Sequence, residues 1–151
     1  MRAHDGRGPA TELTAVALAE FPDLEQAYIT LQSDPGRVRR IAKYTRAVSD
    51  LAATDEVAAS ICDAAARELV LSVATGLERV GEADGPSPVV CAIGGVLRSD
   101  AIAGRFTAEL RLRWPEADIR EPDGAGIDGA ALLPRVADSS ALRELIADSE
   151  E

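Results

Sequence analysis

The sequence predicts a helix-rich α/β chain, and three observations carry that expectation. Apolar residues recur at steps of three and four through most of the chain, as on one face of an amphipathic helix. One run, Val89-Val90-Cys91-Ala92-Ile93, is continuously apolar and mostly β-branched, and it ends in Gly94-Gly95. That is the pattern of a strand buried on both faces between helices. Glycine and proline clusters fall between these stretches. At 151 residues the chain is one domain long, 1–151. A chain of that size buries roughly two-thirds of its unfolded surface without a disulfide or metal staple.

The irregular start through Gly6, Gly8 and Pro9 leads into a first helix. Thr11 is its N-cap, Leu13, Val16, Ala17 and Phe21 form its apolar face, and Pro22 ends it. Asp23 and Gln26 have capping-box spacing for a short second helix through Ala27 and Ile29 to Leu31. Asp34-Pro35 reads as the N-cap and first-turn proline of a third, which Val38, Ile41, Tyr44 and Val48 carry toward Ala53. The longest helix starts at Thr54 and Asp55. Val57, Ile61, Ala65, Leu69, Val73 and Leu77 recur every four residues along it, beside Ala58, Cys62, Ala66, Val70 and Val80, and Gly81 is its C-cap. Its alanine-lined face permits close approach of another backbone. The polar loop from Gly81 to Pro88 precedes the strand. After the glycine pair, Ser99 or Asp100 caps a helix with Ile102, Phe106, Leu110 and Trp114 at steps of four, stopped by Pro115. Ala117 to Arg120 suits a short edge strand. Gly124, Gly126 and Gly129 surround a turn into the apolar run Ala130 to Leu133, which Pro134 interrupts, and an acidic tail from Asp138 is expected to form a frayed helix. One or two strands do not make a stable sheet alone, so further strands or a larger whole are expected.

Composition removes several functions. Acids outnumber bases 26 to 16, for a net charge of -10, which argues against nucleic acid as a partner because its nonspecific binding is driven by basic charge. Only 3% of residues are aromatic, so no stripe of rings is available to stack bases. No apolar stretch reaches the length of about 18 residues that spans a membrane, and no apolar run follows the charged start. A cytoplasmic protein without membrane contact is expected. Cys62 and Cys91 match no metal spacing and read as reduced core residues. His4, the only histidine, makes neither a zinc site nor a base for Ser99. The carboxylates Asp100, Glu109, Asp118, Asp123 and Asp128 form no acid/base couple by spacing and read as solvated charge. Arg37, Arg39 and Arg40 decorate a helix face or meet a phosphate. The arrangement with chemical content is strand, Gly94-Gly95, short loop and capped helix. Glycines at the carboxyl end of a strand let a ligand such as a nucleotide approach the backbone closely; the alternative is that they serve turn geometry alone.

Four stretches in order resemble the second half of the BadF/BadG/BcrA/BcrD ATPase family, which includes N-acetylglucosamine kinases. Asp5-Gly6-Arg7-Gly8-Pro9-Ala10-Thr11-Glu12-Leu13 resembles that half's DGRGPxTxLT start. Ile41-Ala42 through Ala58 is similar to its IAxLAxxVxxAAxxGDxxA segment. Val89 through Ser99, with Gly94-Gly95-Val96 at its centre, is similar to the adenosine motif VxLxGGVxxS. Ile127-Asp128-Gly129-Ala130-Ala131-Leu132-Leu133 resembles the closing xxGAALLA helix. Together they span nearly the whole chain.

The resemblance implies a helix-rich, ribonuclease-H-like C-terminal domain of the actin-like ATPase superfamily, with an incomplete sheet that strands from earlier in the family chain complete. It implies nucleotide contacts at Gly94, Gly95, Val96, Ser99, Gly129 and Ala130, with ATP and Mg²⁺ as the complete protein's cofactors. The family's two phosphate loops, its sugar-binding segment and its catalytic Asp have no counterpart here. The GD turn appears as Asp55-Glu56, and Pro134 stands where the family prefers a helix former. The expectation is a C-terminal fragment: the nucleotide-binding half of an ATP-dependent amino-sugar kinase, without catalytic residues and inactive alone. Its expected partners are ATP or ADP, a separately encoded N-terminal half and a second copy. A noncatalytic remnant and a helical interaction module are the alternatives.

Overall fold

A computed structural model describes residues 2–140, 142 and 143, and the chain divides into two compact units, 1–120 and 121–151. The first unit holds α1 (Leu13–Glu20), α2 (Leu24–Ser33), α3 (Arg37–Ala42), α4 (Tyr44–Leu51), α5 (Glu56–Val80), β1 (Val89–Cys91), α6 (Asp100–Arg113) and β2 (Asp118–Arg120), with a 3₁₀ turn at Val96–Arg98 before α6. The chain is thus helix-rich α/β, with a small parallel sheet of two strands. No helix among the described residues is long and apolar enough to cross a membrane.

Local chemistry sets most element ends. The Asp23 carboxylate accepts the N–H groups of Glu25 and Gln26 and caps α2; the N-cap of α1 is Glu12 rather than the expected Thr11, whose hydroxyl accepts the Leu13 N–H at 3.2 Å from one position earlier. Asp55 is buried and does double duty. Oδ1 accepts the Ala58 N–H at 2.9 Å, capping α5, while Oδ2 accepts the Glu12 N–H at 2.6 Å, so one carboxylate ties the start of α1 to the start of α5. These hydrogen bonds, the Ala58 one foremost, hold its carboxyl below the usual carboxylate range. Gly81 closes α5 in the left-handed conformation at φ 77°.

The main core is small against large. Ala66 and Ala74 of α5 meet Phe106 and Leu110 of α6 and Trp114 at its C-cap, with Val90 of β1 and Ala117 in the same cluster; farther back, Cys62 meets Ile102 and Ala52. Ion pairs flank this seam, Arg105 with Asp63 and Arg113 with Glu78. The indole N–H of Trp114 donates to the Ala83 carbonyl at 2.9 Å, which anchors the loop before β1. β1, α6 and β2 form a βαβ unit, with Val90 opposite Ile119 in the parallel ladder. A separate cluster of Phe21, Leu24 and Ala27 joins α1 to α2, and the Arg40 guanidinium lies 4.6 Å over the Phe21 ring.

Several expectations are corrected. The Val89–Ile93 run is not covered on both faces: Val90 is 8% exposed, but Val89 is 57% and Ile93 68% exposed, because the helices pack on one side of a sheet whose other side is bare. Cys91 lies on that bare side and is exposed; only Cys62 is a core thiol, and burial pushes its pKa up. The single helix expected from Asp34 to Ala53 is two. The backbone at Lys43 keeps helical angles, yet the ladder breaks there, so Tyr44 and Val48 turn toward the interior while Val38 and Ile41 stay in solvent. Ile61 and Val80 of α5 are exposed as well, since only one stripe of α5 meets α6 and α4. Arg40 is not free surface charge: it pairs with Glu20 and Asp34.

The second unit carries α7 (Gly126–Leu132), started by the Asp128 carboxylate accepting the Ala125 N–H at 2.7 Å, and a 3₁₀ turn at Leu133–Arg135 around Pro134. None of its described residues is buried. The helix expected in the tail falls largely on residues 141 and 144–151, outside those described.

Two measurements test this packing. Leu110→Ala should cost about 2–5 kcal/mol in urea unfolding, since Leu110 is fully buried and its loss leaves a cavity against α5. Asp55→Ala should lower Tm and change the acid limb. A carboxylate whose folded pKa is depressed stabilises above its unfolded pKa of roughly 4, and that contribution disappears as pH falls through the lower folded value. The wild-type chain should therefore lose stability more steeply than Asp55→Ala as pH falls below about 4.

Candidate functional site

The carboxyl end of β1 opens onto a groove. After Cys91 the ladder continues for one bond, the Ala92 N–H donating to the Arg120 carbonyl at 2.9 Å. Gly94 then reverses the chain at φ 97°, a conformation that L side chains rarely adopt, and Gly95 returns to φ -68°. The 3₁₀ turn delivers Ser99 to the N-cap position of α6. Its backbone carbonyl accepts the N–H groups of Ile102 and Ala103, but its side chain does not cap. The Ser99 hydroxyl donates instead to the Ser49 hydroxyl of α4, at 2.7 Å, and this bond stitches α4 to the start of α6.

Between those two elements lies an open groove of about 1060 Å³. One wall is the α3–α4 corner and the outer side of α4, with Lys43, Arg46, Ser49 and Asp50. The other is Gly95, Val96, Arg98, Ser99 and Asp100. Arg46 reaches Asp50 at 3.8 Å along the helix. Lys43 and Arg98 have no carboxylate partner among the described residues. The groove thus carries three cations against two carboxylates in a chain of net charge -10. The Arg98 guanidinium lies over Gly95, where an added Cβ would come 3.4 Å from Nη2.

Of the residues singled out in sequence, Gly95, Val96 and Ser99 are brought together on this groove, and Gly94 makes the turn that positions them. Gly129 and Ala130 lie in α7 of the second unit, both exposed. The opposite wall was missed. Lys43, Arg46 and Asp50 recur at steps of three and four, a polar stripe that could have been read off the sequence, but only the fold shows that it faces a glycine turn. Among the described residues no three His, Cys, Asp or Glu side chains converge, so these residues build no cage for Mg²⁺. Comparison with family models, with curated proteins and with solved structures finds no match.

The two glycines should separate in a stability measurement. Gly94→Ala should cost about 1–2 kcal/mol, because a Cβ meets no neighbour there but the positive φ strains it. Gly95→Ala should stay within about 0.5 kcal/mol of wild type, since its φ is ordinary and only the end of the flexible Arg98 side chain is near. Thermal denaturation of both variants reads the difference.

Proposed function

We propose that this groove is the adenosine side of a nucleotide site, and that the chain is the C-terminal, ribonuclease-H-like half of an N-acetylglucosamine-kinase-like ATPase. The observation that carries the reading is the Gly94-Gly95 turn at the carboxyl end of a parallel strand, facing a wall of cations across a groove large enough for a nucleoside. Arg46 and Arg98 are the groove residues whose planar guanidiniums can stack on a base. The Ser49 and Ser99 hydroxyls, already aligned with each other, can exchange hydrogen bonds with ring nitrogens or ribose. Lys43 is a point charge suited to an anionic group at the open end. Gly95 keeps the wall shallow there. ATP supplies the phosphoryl group in such enzymes; the residues of this chain would bind and orient its nucleoside end.

The bare outer side of the two-stranded sheet supports the same reading. Parallel strands are ordinarily covered on both faces, and two short strands make no independent sheet. A domain whose sheet is extended by strands and covered by helices from elsewhere would leave such a short sheet and such a face.

Titration calorimetry with ADP on the purified chain tests the site. Weak, saturable binding is expected, because most charge-assisted phosphate contacts would come from groups absent here. Gly95→Val and Arg98→Ala should each weaken it at least tenfold while unfolding at the wild-type temperature. ADP affinity unchanged in both variants, or no binding by the wild type, overturns the reading. The chain alone should not phosphorylate N-acetylglucosamine with ATP.

A further inference from the structure

A second cavity lies on the other side of α4. It has a volume of about 640 Å³, within the range of small-ligand pockets. Its walls are aliphatic: Leu13 and Ala17 of α1, Leu24 of α2, Val48 of α4 and Val57 of α5. Of these only Leu24 is buried; the others stand half-exposed around the opening. Four hydroxyls line it beside them, those of Thr11, Thr14, Tyr44 and Ser60, and three are committed elsewhere. Tyr44 donates to the Glu20 carboxylate, Thr11 accepts the Leu13 N–H, and Ser60 donates to the Val57 carbonyl. Little hydrogen-bonding capacity remains for a polar ligand, so the body of an occupant must be apolar.

Charge sets its other end. Arg2 and Arg7 line the cavity and, among the described residues, no acidic one does, in a chain where acids outnumber bases 26 to 16. Asp5 holds Arg7 through Nε at 2.8 Å and Nη2 at 2.5 Å, and that pair is neutral in sum. Arg2 has no carboxylate partner among the described residues, which leaves one positive charge in excess. We propose that this cavity binds an amphiphilic monoanion, a medium-chain aliphatic carboxylate, with its chain against Leu13, Val48 and Val57 and its carboxylate at Arg2. The site is separate from the groove and does not rest on the nucleotide reading.

Sodium decanoate, kept below its micelle concentration, is the probe, titrated into the full chain by calorimetry. Saturable one-to-one binding is expected, with affinity rising about fourfold for each methylene from hexanoate to decanoate. Arg2→Glu, a change at an exposed position, should weaken decanoate at least tenfold without shifting Tm. Val57→Trp should fill the cavity and abolish binding. Absence of binding, unsaturable uptake that Arg2→Glu leaves unaltered, or equal affinity for the decyltrimethylammonium cation overturns the proposal. Because Arg2→Glu leaves the core untouched, a misfolded Val57→Trp does not rescue it.

Discussion

Everything in the first unit depends on a difference in side-chain size across one seam. α5 presents Cys62, Ala66 and Ala74, and α6 answers with Ile102, Phe106, Leu110 and Trp114. Small residues let the two backbones approach, and large ones fill the space that approach leaves, which is how protein interiors reach close packing. From that seam the rest is hung. β1 and β2 flank α6 in sequence and place Val90 and Ala117 under it, while the Trp114 indole fixes the preceding loop. At the other end, Ala52 and Val48 join the cluster around Cys62 and Ile102, which fixes where α4 can lie.

α4 is consequently a partition. Its position against α5 and α6 gives it two working faces about 180° apart: Tyr44 and Val48 line the aliphatic cavity, and Arg46, Ser49 and Asp50 line the groove. The helix is held from both sides by polar contacts, Tyr44 to Glu20 on one and Ser49 to Ser99 on the other. Burial, with the Glu20 carboxylate alongside, pushes the Tyr44 hydroxyl up to about 12, so it remains a donor throughout the physiological range. Asp55, buried between α1 and α5, performs the same service for the N-terminal segment. The aliphatic and basic cavities therefore share one wall whose position is set by core packing rather than by either ligand.

Much of this was legible in the residues. Asp23, Asp55 and Gly81 mark helix ends because their chemistry acts within three or four residues, and such local rules survive any tertiary context. The Gly94-Gly95 pair announced a turn at the end of a strand, and Gly94 occupies the positive φ that such a turn demands. The α6 stripe of Ile102, Phe106, Leu110 and Trp114 is buried as its period required. What failed were the inferences that hydrophobicity means burial. Ile61, Ile93, Val89 and Cys91 are apolar and exposed, because period tells which side chains share a face but not whether that face has a partner.

The sequence by itself determined most of the elements, the caps at Asp23, Asp55 and Gly81, and the glycine turn, since propensity and capping are settled between near neighbours in the chain. Only the tertiary structure decided that α3 and α4 divide at Lys43, that the sheet is covered on one side, that Ser99 abandons its cap for Ser49, and that a stripe of Lys43, Arg46 and Asp50 faces Gly95. Ser49 and Ser99 are 50 positions apart. Contacts over that separation are selected by how whole elements pack, and no local pattern encodes them.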